Sequence, residues 1–347
     1  MVTITDIAKE TGLSVATVSM VLSKTARRIP VTTQKRVEAT AKRLGYYPNL
    51  QARSLRSKRT RSVGVLIFDI TEPYCAMILR GIDDSLYESG YLPVLTDLQN
   101  NPGRLRQCTQ MLMGRRVEGL IAIVNPMYRE SDILEAIARF EVPTVLIGRK
   151  LERSSFASVV ADNESGTRAA LEHLYRLGHR RIAFVKGPQA MADSAPRWKG
   201  LVSFAKEVGL SIDANLVQEI KGRNSSYEEG FRITQMLLET KRTFTALVAF
   251  DDLTAFAAIG ALTDAGLKVP TDCSIVGFDD IPGAAYYNPP LTTVRQHLEI
   301  QGSIGAEMVK SLLSDPTGKG IESRHRIVTP MLIVRKSTAI NPLNEAG

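Results

Sequence analysis

Charge divides so unevenly along this chain that its first 61 residues read as a module of their own. Positions 1–61 carry thirteen Lys/Arg against three acidic residues, Asp6, Glu10 and Glu38, a net of +10. The whole chain is +8, so the remaining 286 residues hold 31 basic and 33 acidic groups, a net of −2. A basic block on a near-neutral body is the footprint of a polyanion-binding head, with nucleic acid the leading partner. A solvated basic tail would share the charge but not the apolar periodicity and helix punctuation found here.

Thr3 and Asp6 form a capping-box-like start for a short helix, with Ile4, Ile7 and Ala8 facing inward, and Gly12 ends it. Ser14 then caps a second helix, Val15 to Leu22. Its Val18, Val21 and Leu22 face the core and its other side presents Val15, Ala16, Thr17, Ser19 and Met20. Two short helices joined by a tight turn make a helix-turn-helix, whose second helix enters the major groove. A third helix follows, capped by Thr32 or Thr33, with Val37, Ala41 and Leu44 at helical spacing and Gly45 at its end. Beyond Pro48, Asn49 caps one more short stretch, Leu50 to Ser57, in which Leu50 and Leu55 stand amid Arg53, Arg56, Lys58, Arg59 and Arg61. Such a segment is too short and too charged to be stable alone in water, which fits an element that orders on DNA.

From residue 62 short apolar runs alternate with amphipathic stretches. The runs are Val63–Phe68, Leu92–Leu95, Gly119–Val124, Thr144–Ile147, Ile182–Val185, Leu247–Phe250 and Ser274–Phe278. Helical patterns between them include Ala76–Tyr87, Gly166–Leu177, Tyr227–Leu238 and Leu253–Ala265. That rhythm predicts a doubly wound α/β body, and its length predicts two parallel-sheet lobes with a cleft at the carboxyl ends of their strands. No apolar run reaches the roughly 18 residues of a membrane span, and MVTITDIAKE does not read as a secretory signal. Cys75, Cys108 and Cys273 are too widely spaced for a zinc site or a disulfide frame, so a cytoplasmic protein without metal is expected. Nucleophile-elbow, P-loop, zinc-protease and dinucleotide fingerprints are missing, so neither an enzyme nor a cofactor is expected. His179, at a helix-to-strand turn, reads as a helix C-terminal cap.

The strings T-I-x-D-I-A-K-x-x-G-L-S-V-A-T-V-S, L-G-Y-x-P-N and A-R-S-L-R closely resemble the LacI/GalR family of bacterial transcriptional repressors. LGHRRIAFVKGP, FDDLTAFAAIGAL, GLKVPTDCSIVGFDD and NPPLTTVRQ extend the resemblance over nearly the whole chain. It implies a helix-turn-helix head at 1–47 and a hinge helix and linker at 48–61. It further implies a two-lobe effector-binding and dimerisation domain at 62–341, resembling periplasmic sugar-binding proteins. The chain would cross between lobes near Asp162, Pro290–Val294 and Ile321–Arg324. That gives an N-lobe of about 62–161 and 294–321 and a C-lobe of about 162–290 and 323–341. The implied DNA contacts are Thr5, Ser14, Val15, Ala16, Thr17, Ser19, Met20, Asn49, Ala52, Arg53, Leu55 and Arg56. Leu55 takes the place of a hinge leucine that wedges into a minor-groove base step. Val15, Ala16 and Met20 donate no hydrogen bonds, so their reading is apolar contact and leans on the hinge and on duplex deformability.

The implied effector residues are Tyr74, Cys75, Asn125, Arg149, Arg197, Asn224, Phe250, Asp251 and Asp279. An Arg197 and an Asp279 facing one another across the cleft suit a polyhydroxylated or heterocyclic ligand. Cys75 stands where an aromatic is often used for stacking, Gly148 where many relatives carry an acid, and Trp198 reads as core packing. The expected partners are a pseudo-palindromic double-stranded operator, a second copy of the chain, and a small effector. That effector is first a carbohydrate, with a purine or nucleoside next. A solute-binding protein is the alternative from another class, opposed by the basic head.

Overall fold

The computed structural model describes residues 2–23, 29–47, 59–101, 103–123, 130–137, 142–151, 156–189, 191–221, 226–315 and 324–341. The chain divides into two units, 1–60 and 61–347, each described by itself.

In the head, α1 (Ile4–Thr11), α2 (Val15–Leu22) and α3 (Val31–Arg43) enclose a small core of Ile7, Ala8, Val18, Val21, Val37 and Ala41. The capping box forms as the spacing predicts: the Asp6 N–H donates to Thr3 Oγ1 (3.3 Å) and the Thr3 N–H donates to Asp6 Oδ2 (2.8 Å). The Thr17 N–H donates to Ser14 Oγ at 3.1 Å, and Gly12 takes the left-handed conformation (φ 62°) that ends α1. One expectation fails: α3 starts at Val31 behind Pro30, without a side-chain cap, so Thr32 and Thr33 lie inside its first turn.

The body holds two six-stranded sheets. The first runs β11-β5-β4-β3-β1-β2, all its pairs parallel, from β1 (Ser62–Ile67), β2 (Leu92–Asp97), β3 (Gly119–Ile123), β4 (Thr144–Ile147), β5 (Ala157–Ala161) and β11 (His325–Val328). The second runs β12-β10-β9-β8-β6-β7, from β6 (Ile182–Lys186), β7 (Val217–Glu219), β8 (Ala246–Val248), β9 (Ser274–Asp279), β10 (Thr292–Arg295) and β12 (Met331–Ile333). Its β12 pairs antiparallel to β10 and its other pairs are parallel. Helices α4 (Pro73–Glu88), α5 (Arg104–Gly114), α6 (Glu130–Ile137) and α12 (Leu298–Ser314) belong to the first lobe. Helices α7 (Asn163–Arg176), α8 (Ser194–Glu207), α9 (Tyr227–Glu239), α10 (Asp252–Asp264) and the short α11 (Gly283–Tyr286) belong to the second. This is the α/β class with two doubly wound lobes expected above.

The chain crosses between lobes three times. The first crossing is at Asp162, which caps α7 by accepting the Ser165 N–H at 3.0 Å. The other two come later than the sequence suggested: β10, ending at Arg295, is still in the second sheet, and β11, ending at Val328, is still in the first. The crossings therefore follow Arg295 and Val328. The resemblance placed both too early, and at the third crossing hydropathy offers no correction, because β11 is an edge strand whose Ile327 is 69% exposed and shows no buried apolar run.

Glycine fixes how tightly the first lobe packs. A Cβ at Gly302 of α12 would collide with the Ile78 carbonyl oxygen, and one at Gly81 of α4 would collide with the Glu299 carbonyl oxygen. The two helices thus meet backbone to backbone, which only glycine permits.

Candidate functional site

In the head, Val15 (48% exposed) and Met20 (43%) stand out from α2, with Ala16 also exposed and Thr17 and Ser19 half-buried. Ser14 is committed to capping, and its Oγ also lies 2.8 Å from Thr17 Oγ1. Thr5 is exposed on α1. An apolar, exposed α2 surface ahead of the buried Val18 and Val21 is what a base-edge reader without hydrogen-bond donors needs. Asn49, Ala52, Arg53, Leu55 and Arg56 lie outside the described residues, as do Asn125 and Asn224 in the body.

In the body, the strand order places β1 between β2 and β3, and β6 between β7 and β8. At such switch points the loops after neighbouring strands diverge and open a crevice. From the first lobe, the loop after β1 leads into α4 and brings Glu72 and Tyr74; the loop after β4 brings Gly148 and Arg149. From the second lobe come Asp193 and Arg197 after β6, Phe250 and Asp251 after β8, and Asp279 at the end of β9. Arg149, Asp162, Asn163, Asp193 and Pro196 line one cavity of about 800 Å³, between the lobes at the first crossing. A second, of about 410 Å³, is lined by Met77 and Glu299 of the first lobe and by Asp279, Asp280 and Arg295 of the second. Met77 packs against the hydrophobic cores of both lobes.

Arg197 organises the second lobe's wall and is only 5% exposed. Its Nε donates to Asn163 Oδ1 (3.0 Å) and its Nη1 to the Phe250 carbonyl (2.5 Å); its Nη2 pairs with Asp193 Oδ2 (2.8 Å). The guanidinium also lies over the rings of Phe278 (3.9 Å to the centroid) and Phe250 (4.6 Å). Asp279 Oδ1 is 3.7 Å from Arg197 Nη2. The expectation that Arg197 and Asp279 face one another across the cleft is therefore corrected: α8 and β9 belong to one lobe, and the pair shares one wall.

The neighbouring carboxylates have distinct jobs. Asp251 caps α10, accepting the Thr254 N–H at 2.8 Å. Asp252 is fully buried and accepts the Ile281 N–H (2.9 Å) and the Thr293 hydroxyl (2.5 Å); burial pushes its carboxyl up to about 8. Asp280 joins Arg295 and Arg335, each at 2.6 Å. Burial, reinforced by Asp251 and Asp252, raises Asp279 well above the carboxylate range despite the opposing pull of Arg197.

The first lobe's wall is less engaged. Burial and the charges of Asp251 and Asp69 hold the Glu72 carboxyl up to about 7. Burial, with Asp193 and Asp279 nearby, raises the Tyr74 phenol. The Tyr74 hydroxyl would lie 3.0 Å from a Cβ at Gly148, so glycine at this position leaves room for the phenol. Cys75 is a correction: at 1% exposure it packs into the first lobe's core, because the helical turn carries it about 100° away from Tyr74. Trp198 packs as expected, edge-on to Phe184 at 5.9 Å. His179 does not cap a helix with its side chain; its ring bonds Thr245 Oγ1 (2.9 Å) and the Ala339 carbonyl (3.0 Å). Sequence reasoning missed Glu72, Asn163, Asp193 and Gln296, isolated polar residues in loops, with no periodic signal of their own.

Comparison with known proteins agrees with this geometry. Residues 3–49 match the bacterial regulatory proteins of the lacI family, and residues 171–338 match a periplasmic binding protein-like domain. The chain is 34% identical over 342 residues to the HTH-type transcriptional repressor PurR of Haemophilus influenzae (strain PittEE), covering 97% of this chain and 98% of the relative. PurR of Photobacterium profundum is 32% identical over 339 residues, again covering 97% and 98%. Among solved structures, a Lac repressor dimer bound to operator and an anti-inducer superposes with a TM-score of 0.86 at 27% identity, covering 97% of this chain and 99% of that one. A complex of the transcriptional regulator CelR with cellobiose gives 0.72 at 28% identity, covering 97% and 100%. Among the described residues no helix is long and apolar enough to cross a membrane. The relatives are regulators and not enzymes, and with its helix-turn-helix head on a two-lobed body this chain belongs to the lacI family of bacterial regulatory proteins, as a DNA-binding transcriptional repressor.

Proposed function

We propose that this repressor binds its operator as a dimer and that a small polyhydroxylated effector, held between the lobes, sets its operator affinity. The supporting observation is the state of Arg197: its guanidinium is engaged by Asn163, the Phe250 carbonyl and Asp193. A ligand entering the cleft then meets carboxyl groups of two kinds: Asp193, whose Oδ1 has no hydrogen-bond partner and can accept, and Asp279 and Glu72, whose raised carboxyls keep a proton to donate. Hydroxyl groups, each able both to donate and to accept, suit such a surface. Tyr74 and Arg149 complete the proposed contact set from the first lobe. A flat heterocycle such as a purine needs open ring faces, whereas the Phe250 and Phe278 rings lie over Arg197. Among its structural relatives, one regulator carries cellobiose and another, from Enterococcus faecium, carries bound ribose.

In the head, Val15, Ala16 and Met20 are assigned to base edges by apolar contact, and Leu55 to a wedge at the operator centre. The coupling is thermodynamic: the effector must bind the DNA-competent and DNA-incompetent states unequally. A thermal-shift screen of the full chain against mono- and disaccharides, sugar phosphates, nucleosides and purine bases tests the reading. A carbohydrate hit lost in Asp279→Asn is the expected result, and a purine hit lost in the same variant would replace the carbohydrate class.

A further inference from the structure

We propose that Gln296 and Gln301 are positioning residues that link the cleft carboxylate Asp279 to the first lobe. The inference rests on the cleft reading above and extends it to regulation. Gln296 follows β10, where the chain leaves the second lobe, and is 2% exposed. Its Nε2 donates to Asp279 Oδ1, the same oxygen that lies near Arg197. Gln301, in the first turn of α12 and fully buried, donates its own Nε2 to the Gln296 carbonyl at 2.9 Å. A hydrogen-bonded relay thus runs from the second lobe's wall, through the second crossing, into the first lobe.

Two observations mark this relay as more than packing. First, Gln301 Oε1 is buried and has no hydrogen-bond partner. A buried carboxamide with an empty acceptor is costly unless another arrangement fills it. Second, the backbone on both sides of the Asp279–Gln296 bond is strained: Asp279 (φ 125°), Asp280 (φ 58°) and His297 (φ 55°) are non-glycine residues at positive φ. Strain of this kind persists where surrounding contacts hold it, and Gln296 bonds Asp279 immediately beside His297.

The output side is equally defined. Because α12 meets α4 backbone to backbone at Gly302 and Gly81, the turn carrying Gln301 cannot slide without α4. The first turn of α4 holds Tyr74, on the opposite cleft wall. A ligand that takes hydrogen-bonding capacity from Asp279 loosens Gln296, relaxes the crossing and lets the α4–α12 pair turn. This is a two-state element that the cleft can bias, the physical requirement for coupling.

The test needs no effector. A duplex selected by the wild-type chain from a random pool serves as probe, with a scrambled duplex of equal length as control. Affinities are measured by fluorescence anisotropy for wild type, Gln296→Met, Gln301→Met and the double variant. Methionine keeps length and volume while removing the amide; if Gln296→Met does not fold, Gln296→Glu, which keeps the shape and loses the donor, replaces it. Each single variant is expected to move selected-duplex affinity at least about fivefold in the same direction. The double variant should move it no further than the larger single, as members of one chain do, with scrambled-duplex binding within about twofold of wild type. Selected-duplex affinities within twofold of wild type, additive effects, or parallel changes on both duplexes would overturn the proposal. The cleft reading is judged by the thermal-shift screen, so either can fail without the other.

Discussion

The two walls of the cleft are built to opposite specifications. On the second lobe, Arg197 is held by Asn163, the Phe250 carbonyl and Asp193, lies over two aromatic rings, and has Asp279 within 3.7 Å. On the first lobe, Glu72 meets the charges of Asp251 and Asp69, and Tyr74 offers a hydroxyl beside the bare Gly148. One wall is tied together around Arg197, with Asp193 Oδ1 left without a hydrogen-bond partner; the other is built from a raised carboxyl and a buried phenol. The contrast teaches that charge at a cleft does not measure readiness to bind. The buried cation is tied into its own lobe, and under the proposed function recognition falls to the carboxyl groups around it and to the opposite wall.

This contrast can be broken or sharpened by substitution. The largest effect is expected from Arg197→Ala, which strands Asp193, Asp279 and the Phe250 carbonyl together; loss of one partner from a buried ion pair costs about 3–5 kcal/mol. Urea unfolding measures it, and a loss below about 1 kcal/mol would show that Arg197 is not structural. Asp279→Asn keeps an oxygen acceptor for Gln296 while replacing the carboxyl by a carboxamide, so stability should change by less than about 1.5 kcal/mol, with the ligand response lost.

Glu72→Gln addresses the first wall. With its carboxyl raised from 4.5 to about 7, the folded chain keeps a proton that the unfolded chain gives up. That contribution is full below about pH 4.5 and is lost as pH rises towards 7. In stability measured against pH, wild type should decline relative to the variant across this window and run parallel above it; a constant offset would count against a protonated Glu72. Tyr74→Phe is expected to be the mildest. Removing one cleft-facing hydroxyl should leave stability within about 0.5 kcal/mol and weaken an identified effector by about five- to tenfold, as loss of one hydrogen bond does, by calorimetry. A stability loss beyond 1 kcal/mol would mean that the first wall is as structural as the second.

The head was legible almost residue by residue, because capping boxes, glycine stops and helical spacing are local signals: Thr3, Asp6, Gly12, Ser14 and Val18 all act where their spacing predicts. Pro30 displaced the expected Thr32 or Thr33 cap, since its fixed φ starts the helix without a side-chain bond. The buried parallel strands were equally readable, Thr144–Ile147 to the residue, whereas β10 is buried at Thr292, Thr293 and Val294 with only one aliphatic side chain among them, and β11 and β12 are short edge strands without a continuous buried run. In the cleft, resemblance pointed to Tyr74, Arg197 and Asp279. It could not show that Cys75 turns into the core, or that Asn163 and Gln296 bind the charged residues, because those facts arise from the meeting of distant segments.

The late position of β11 bears on how the protein is made. The head's core is complete once Tyr46 has been synthesised, but the first sheet lacks its edge strand until residues 325–328 emerge, and α12, which covers that sheet, spans residues 298–314. Domains fold in the order in which the ribosome releases them. A nascent chain therefore carries a finished DNA-reading head long before it owns a finished sensor. For most of translation it is a folded, positively charged monomeric head trailing incomplete sheets, and operator control begins only when the last tenth of the chain has been delivered.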